Sequence, residues 1–143
     1  MSVAQILSGK GTHVVTTAPD KTLHETAQLM AQKGIGAVLV CTTAGEISGI
    51  ISERDIMRAI AGSGAQALEQ RVSSHMTRNV MTAEPSSTVV SVMQRMTAGR
   101  FRHMPVVRDG KLAGVVSIGD LIKHRLSELE HEQEVLKEYI ATA

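Results

Sequence analysis

The stretch at residues 49–55, GIISERD, decides the fold because the chain repeats it at residues 114–120 as GVVSIGD. In both places an apolar segment runs into a serine, and an aspartate follows three residues later. Over a wider range, residues 14–60 align with residues 80–126, and one turn differs in length by one residue. An internal repeat of this length predicts two copies of one small unit. The matched pairs include Thr16 and Thr82, Pro19 and Pro85, Thr22 and Thr88, Met30 and Met96, and Val40 and Val106.

The composition indicates a globular protein in which both copies fold together. Of the 143 residues, 43% are hydrophobic and 20% are charged, and a copy of about fifty residues alone has only a marginal core. The net charge of +1 and the 1% aromatic content argue against nucleic-acid binding. No apolar run reaches the length of a membrane span and no secretion signal is evident, so we expect a cytoplasmic protein without membrane contact. The lone Cys41 has no internal disulfide partner and is predicted to be buried.

The repeat divides the chain into five predicted segments. The first is a short amphipathic helix, because Val3, Ile6 and Leu7 fall at helical spacing. Polar and glycine-rich residues separate the two units. The predicted segments are 1–13 for the N-terminal helical segment, 14–61 for unit 1, 62–79 for the linker, 80–126 for unit 2 and 127–143 for a C-terminal helix extension.

Each unit is predicted to run strand, helix, strand, strand, helix. Thr22 and Glu25 have the spacing of a capping box, Gly34 and Gly99 are predicted helix stops, and residues 109–110 (Asp-Gly) favour a tight hairpin turn. Unit 1 has predicted strands at 14–17, 36–41 and 46–51 and helices at 22–33 and 52–61. Unit 2 has predicted strands at 80–82, 103–108 and 111–116 and helices at 88–98 and from 117 onward.

The C-terminal tail carries a heptad pattern of apolar residues. Steps of four and three alternate along the pattern for about three repeats, which is typical of a coiled-coil seam. A helix that packs back on its own unit would also explain it, but a seam on a terminal extension favours a homodimer contact. The seam residues are Ile122, Leu126, Leu129, Gln133, Leu136 and Ile140.

The two Ser-x-x-Asp motifs, Ser52 to Asp55 and Ser117 to Asp120, allow two interpretations. Serine at the N-cap with an acid at the third helical position is a variant of the capping box, and taken singly this structural interpretation is favoured. A helix N-terminus also presents free N–H groups to an anion, and a carboxylate one turn in can accept hydrogen bonds from a sugar diol. The motifs therefore also suit a ribose-phosphate ligand.

Basic residues near these motifs strengthen the second interpretation. Arg102 and His103 enter an apolar strand, where a guanidinium pairs well with phosphate, although both would be inert on an ordinary surface strand. Arg54 and Arg58 add positive charge around Asp55, and Arg54 is included in the predicted nucleotide-binding set. Pairing of Arg54 with a neighbouring carboxylate stays an equal alternative.

Together these motifs resemble a tandem pair of cystathionine-β-synthase-type (CBS) domains, often called a Bateman module. The resemblance is carried by residues 36–40 (GAVLV) with 49–55 in unit 1, and by residues 102–107 (RHMPVV) with 114–120 in unit 2. It covers nearly the whole chain, and the duplication in register makes it specific. The chain is most similar to small free-standing bacterial CBS-pair proteins, which carry no attached enzyme.

The resemblance implies an α+β fold in which two pseudo-symmetric β-α-β-β-α CBS units pack as one module, followed by a C-terminal helix. It also implies adenosyl ligands such as AMP, ATP, NAD or S-adenosylmethionine in two clefts between the units. Asp55 and Asp120 would bind ribose hydroxyls, while Ser52 and Ser117 would contact ribose or phosphate. The resemblance places phosphate near Arg102 and His103, and the adenine near backbone around Thr16, Ala37, Val38, Thr82, Met104 and Pro105.

We therefore expect a regulatory module that senses an adenine nucleotide, forms a homodimer and signals to a further protein of unknown identity. No catalysis, catalytic cofactor or metal is expected, because the sequence has no paired carboxylates and no zinc-ligand spacing. A structural dimerisation module, a nucleotide hydrolase and a nucleic-acid binder are the alternatives. Copy one has residues 36–37 (Gly-Ala) where copy two has Arg-His, which predicts unequal clefts. The predicted surface histidines are His13, His24, His75, His124 and His131.

Overall fold

The computed structural model describes residues 2–11 and 14–142 and has the predicted α+β class with a duplicated element order. The N-terminal helix and unit 1 comprise α1 (Val3–Lys10), β1 (Thr16–Thr17), α2 (Leu23–Lys33), β2 (Ala37–Cys41), β3 (Ile47–Ser52) and α3 (Glu53–Ser63). The linker holds two short 3₁₀ helices at Gly64–Glu69 and Val72–Ser74. Unit 2 comprises α4 (Val89–Gly99), β4 (His103–Arg108), β5 (Lys111–Ser117) and α5 (Ile118–Thr142).

The sheets of the two units differ by one strand. In unit 1, β1 pairs in parallel with β2, and β2 pairs antiparallel with β3. In unit 2, β4 and β5 form an antiparallel hairpin alone. The hairpin turn at Asp109 and Gly110 is confirmed, since both residues have positive φ values of 51° and 75°.

The predicted strand at residues 80–82 is wrong, because only Ala83 makes a parallel bridge, to Val106. The Ala83 N–H donates to the Pro105 carbonyl at 2.9 Å, and the Val107 N–H donates to the Ala83 carbonyl at 2.8 Å. Pro105 has no N–H with which to extend this ladder further upstream. Leu39, at the matching place in unit 1, has that donor, and there a two-residue strand forms.

The first helix of unit 2 also ends one residue later than predicted. Gly99 is the last residue of α4, and Arg100 adopts the left-handed conformation with φ of 57°, where unit 1 has Gly34 with φ of 64°. A Cβ on Gly99 would collide with the ring of Phe101. Gly99 is therefore required for close packing, and not for a left-handed backbone.

Each unit has its own hydrophobic core. Each core also includes residues from the segment that lies just before the other unit in the sequence. The core of unit 1 includes Ala67 and Val72 from the linker. The core of unit 2 includes Val3, Ile6 and Leu7 from α1. The predicted N-terminal helix is thus confirmed, but its docking on unit 2 was not predicted.

The backbone anchors of these two borrowed segments are equivalent. The Val3 N–H donates to the Ser87 carbonyl at 2.9 Å, and the Val72 N–H donates to the Lys21 carbonyl at 2.8 Å. Four residues further on, Leu7 approaches Gly114 of β5, and Met76 approaches Gly49 of β3. The repeat therefore begins upstream of the boundaries taken from the sequence.

Helix α5 crosses the predicted boundary at residues 126/127 without a break and runs for 25 residues. Leu121 is its one buried residue, and every residue from 129 to 142 is exposed. The heptad seam does not pack back on the chain, since Leu126, Leu129 and Leu136 are among the exposed large hydrophobic residues. No helix in the described parts of the chain is both long and apolar enough to cross a membrane.

Candidate functional site

The serine–aspartate junction of unit 1 is a complete helix cap at the start of α3. The Asp55 N–H donates to Ser52 Oγ at 3.3 Å. Asp55 Oδ2 accepts the Ser52 N–H at 2.9 Å and the Ser52 hydroxyl at 3.0 Å. All of these bonds to the carboxylate use Oδ2, and Oδ1 takes part in none of them. Both residues are half-buried.

The junction of unit 2 has the same geometry at the start of α5. The Ser117 N–H donates to Asp120 Oδ2 at 2.9 Å, and the Asp120 N–H donates to Ser117 Oγ at 3.1 Å. The capping interpretation is therefore confirmed in both units. It does not exclude a ligand, because a cap leaves other N–H groups of the first helical turn for a second partner, and in unit 1 the cap bonds use only Oδ2 of Asp55.

The sheet register brings most of the predicted residues of unit 1 to one corner. Ala37 lies opposite Ser52 in the ladder between β2 and β3, and Val38 follows it as a buried residue. Arg54 is exposed in the first turn of α3. Thr16 lies on β1, one strand further from the junction, and is exposed.

The predicted residues of unit 2 form the matching corner. His103 lies opposite Ser117 in the hairpin and is half-buried. Met104 and Pro105 follow on β4 and are buried, while Arg102 precedes the strand and is exposed. The structure thus assembles one set of residues in each unit, with a basic residue at the entrance to β4 in unit 2 alone.

One backbone hydrogen bond ties the strand entrance to the helix start in each unit. The Glu53 N–H donates to the Gly36 carbonyl at 2.9 Å, and the Ile118 N–H donates to the Arg102 carbonyl at 2.8 Å. The side chains at these matched positions differ. A Cβ on Gly36 would lie 2.5 Å from Glu53 Oε1, so unit 1 can hold a larger residue there only if Glu53 moves.

Thr82 is half-buried and is held through its backbone. Arg95 Nη2 on α4 donates to the Thr82 carbonyl at 2.8 Å. Unit 1 has Leu29 at the position of Arg95, so no such bond is possible beside Thr16. Arg95 was not singled out from the sequence, although its alignment with Leu29 was an available signal.

A cavity of about 440 Å³ lies at the β1 end of unit 1. It takes in Thr16 but neither Ser52 nor Asp55, so it is separate from the predicted junction. Cys41 lines it and is half-buried, not fully buried as predicted, and burial raises the pKa of its thiol. Its lining residues are Thr16, Thr17, Ala18, Lys21, Glu25, Leu29, Cys41, Thr42 and Thr43.

The histidines are not all surface residues. His24 and His131 are exposed as predicted, and His13 lies outside the described residues. His75 is half-buried and hydrogen-bonds to Gln70 at 2.5 Å, while the half-buried His124 lies 3.7 Å from Glu128 on α5. Across residues 2–11 and 14–142, no group of three or more His, Cys, Asp or Glu side chains is arranged to hold a metal ion.

Two copies of one strand-to-helix junction, carried on two matching α+β units, define a tandem module. The CBS domain pattern matches residues 5–62 and 72–127, which together make up most of the chain. The chain therefore belongs to the CBS-domain family. Proteins with such pairs are generally regulatory or sensory, and no catalytic family is indicated.

Three known proteins illustrate the relationship. The crystal structure of a CBS-domain protein from Agrobacterium tumefaciens is 46% identical, with a TM-score of 0.84 and coverage of 87% of this chain and 99% of that chain. The CBS domain pair of the protein MJ0100, solved with 5′-methylthioadenosine and S-adenosyl-L-methionine, is 26% identical, with a TM-score of 0.75 and coverage of 86% and 98%. A mitochondrial CBS-domain protein of Arabidopsis thaliana is 34% identical over 85% of this chain, which spans only 61% of that relative.

Proposed function

We propose that the chain is a non-catalytic regulatory module that binds adenine nucleotides at its two serine–aspartate junctions and acts as a homodimer. The observation that carries the proposal is the duplication itself. The same serine and aspartate recur in both units with the same spacing and half-burial, as two equivalent ligand sites would require. The MJ0100 pair, whose structure contains two adenosyl compounds, supports the same chemical class of ligand.

The junction geometry supports the proposed contacts. Ribose hydroxyls would donate to Asp55 and Asp120, whose Oδ2 atoms already serve the cap in each unit. Phosphate would meet the N-terminal end of α3 or α5, where free N–H groups and the helix dipole favour an anion. Arg102 and Arg54, both exposed, would add a mobile positive charge to these ends.

A thermal-shift panel tests the proposal, with AMP, ADP, ATP, NAD and S-adenosylmethionine as ligands. A ligand at about 100 times its dissociation constant adds roughly 2.7 kcal/mol, which corresponds to a rise in Tm of about 5–10 °C. We expect at least one adenine nucleotide to reach that range. Asp55→Ala and Asp120→Ala should each reduce the shift, because each removes the acceptor for the ribose.

Glu25→Ala is the matched control for those variants. Glu25 belongs to a capping box of the same type, with its carboxylate accepting from Thr22, but on α2 and away from both junctions. The control should lose intrinsic stability by the same mechanism and keep the full ligand shift. No shift with any ligand, or equal loss of shift in all three variants, would reject nucleotide binding.

A structural dimerisation module is the second candidate, favoured by the complete caps and by the exposed seam of α5. It predicts a dimer whose stability does not respond to any adenosyl compound. Mass spectrometry of small molecules that co-purify with the protein separates the two candidates, since only a sensor would retain a nucleotide.

A further inference from the structure

We infer that α5 pairs with α5 of a second copy as a parallel, in-register, two-stranded coiled coil. This inference deepens the homodimer part of the proposed function by naming the interface and its orientation. It rests on the exposure of the seam, on the polar residue within it and on the charges that flank it.

The seam is available to a partner along its whole length. Leu126, Leu136 and Ile140 are 54%, 58% and 66% exposed, in a helix whose one buried residue is Leu121. At roughly 100° per residue, the seam lies about a quarter-turn away from Leu121, so the body of unit 2 does not cover it. The body nevertheless anchors the first turns of α5, which lowers the entropy cost of pairing the remainder.

The heptad period of the seam favours a partner helix with the same period. Alternating steps of four and three average 3.5 residues per turn, and a stripe of that period stays in contact only with a supercoiled partner. In heptad notation Leu126, Gln133 and Ile140 occupy a positions, and Leu129 and Leu136 occupy d positions. A second copy of α5 supplies this repeat without any further assumption.

Gln133 distinguishes parallel from antiparallel pairing. In a parallel, in-register pair its amide meets the amide of its own copy, and the two can hydrogen-bond within the seam. In an antiparallel pair an a position packs against a d position, so Gln133 would meet Leu129 or Leu136 and its polar atoms would be buried unsatisfied. Such burial costs about 1–3 kcal/mol, and a single polar a residue is known to fix register.

The flanking charges agree with the parallel arrangement. Residues at g pair with residues at e of the next heptad in the partner, which places Glu132 beside Lys137 of the other copy and Arg125 beside Glu130. Both pairings are of opposite charge. Arg125 already contacts Glu128 of its own chain at 2.8 Å, so Glu132 with Lys137 is the stronger test pair. Antiparallel pairing of Gln133 with Leu129 would instead bring Glu130 and Glu132 near their own copies.

Disulfide cross-linking in the full chain without nucleotide tests the orientation. In a Cys41→Ser background, Leu126→Cys, Gln133→Cys and Ile140→Cys are introduced one at a time, and covalent dimers are quantified after mild oxidation. We expect dimers from all three variants, because every a residue meets its own copy in a parallel pair. Glu138→Cys, on the outer face of the helix, is the matched control and should form few dimers.

An antiparallel twofold brings at most one of these positions close to its own copy, so cross-linking at a single position would overturn the inference. Absence of cross-linking at all three positions would overturn it as well. Charge reversal gives a second readout that does not depend on cysteine. Glu132→Lys and Lys137→Glu should each raise the dissociation constant of the dimer severalfold, and the double variant should restore it. The nucleotide thermal shift, measured separately on the same variants, shows whether ligand binding survives when this dimer fails.

Discussion

Units 1 and 2 share two hydrogen bonds of the serine–aspartate junction but differ in the residues around it. Both place a serine at the N-cap and an aspartate whose Oδ2 accepts the serine N–H at 2.9 Å. Unit 1 has a third strand and a glycine at the entrance to β2, whereas unit 2 has a bridge in place of that strand and Arg102 at the entrance to β4. The repeat has kept the polar geometry at the helix start and varied the residues that a bound molecule would meet beside it.

The difference between Leu39 and Pro105 teaches how one residue can alter a sheet without altering its core. Val40 and Val106, the next residues on the two strands, are both fully buried. The proline removes one ladder donor, while its own carbonyl still accepts the Ala83 N–H. Unit 2 therefore has a single bridge at Ala83 where unit 1 has a two-residue strand.

The largest expected effect concerns α1 and the linker, the two segments that pack into the cores of the units. Leu7→Ala should lower the free energy of unfolding by about 2–4 kcal/mol, because it opens a cavity in the core of unit 2. Met76→Ala removes the equivalent contact from unit 1 and should cost less, because Met76 is only half-buried. Urea denaturation of both variants measures the difference. A loss under 1 kcal/mol for Leu7→Ala would contradict the docking of α1.

The next effect compares two glycines that face those same segments. A Cβ on Gly49 would lie 2.6 Å from the Thr77 carbonyl oxygen, while a Cβ on Gly114 would lie 2.7 Å from the end of the Leu7 side chain. The Leu7 side chain can change rotamer, whereas the Thr77 backbone cannot move as easily. Gly49→Ala should therefore lower the free energy of unfolding by about 1–3 kcal/mol, and Gly114→Ala should lower it less. Denaturation midpoints of the two variants check the order, and a reversed order would show that Leu7 is held rigidly.

A smaller effect sharpens the comparison at the proposed binding sites. Arg102→Ala should weaken nucleotide binding at one of the two sites by about tenfold or more, since hydrogen bonds to charged groups contribute about 1.5–3 kcal/mol. Arg54→Ala should have a smaller effect, because Glu53 and Asp55 beside it offset its charge. Isothermal titration calorimetry measures both variants. Two identical, independent sites in the unaltered protein would contradict the predicted inequality of the clefts.

The smallest effect concerns the first helix of each unit. The Thr22 backbone N–H, with further help from the Thr22 hydroxyl and Lys21, lowers the pKa of Glu25 below its ordinary value. This stabilisation is present above the pKa of the unfolded chain and is lost as the pH falls through the lower pKa of the folded state. Unit 2 has Ser91 at the matching position, so its first helix has no carboxylate there to titrate. Stability measured between pH 7 and pH 3 should fall slightly more for the unaltered protein than for Glu25→Gln, and identical curves would show that the box contributes nothing.

The repeat predicted the fold well because duplicated motifs constrain one another. The hairpins, the capped helices and the N-terminal helix follow from local spacing and are present as expected. The prediction of a strand at residues 80–82 was wrong because that strand would need a backbone N–H that Pro105, in another strand, lacks. Docking of α1 on unit 2 was missed because contacts between distant segments leave no periodic trace. The four-residue spacing of Val3 and Leu7, repeated in Val72 and Met76, was the one available signal.

The candidate site was predicted only in part. The register that brings Ala37 to Ser52 and His103 to Ser117 follows from the strand assignments and the resemblance. The bond from Arg95 to Thr82 could not be derived, because it joins a helix face to a non-strand backbone thirteen residues away. The identity of the bound nucleotide stays a proposal, since residue types define ribose and phosphate chemistry and not one compound.

The docking of α1 on unit 2 has a consequence for how the chain comes apart. The second half is not a self-sufficient piece, because cleavage between the halves leaves α1 attached to the first half, whose own core lies within residues 15–76. A fragment that begins after the linker would expose the apolar surface that Val3, Ile6 and Leu7 cover. A separated second half should therefore lose order by itself and regain it when it is mixed with the half that carries α1.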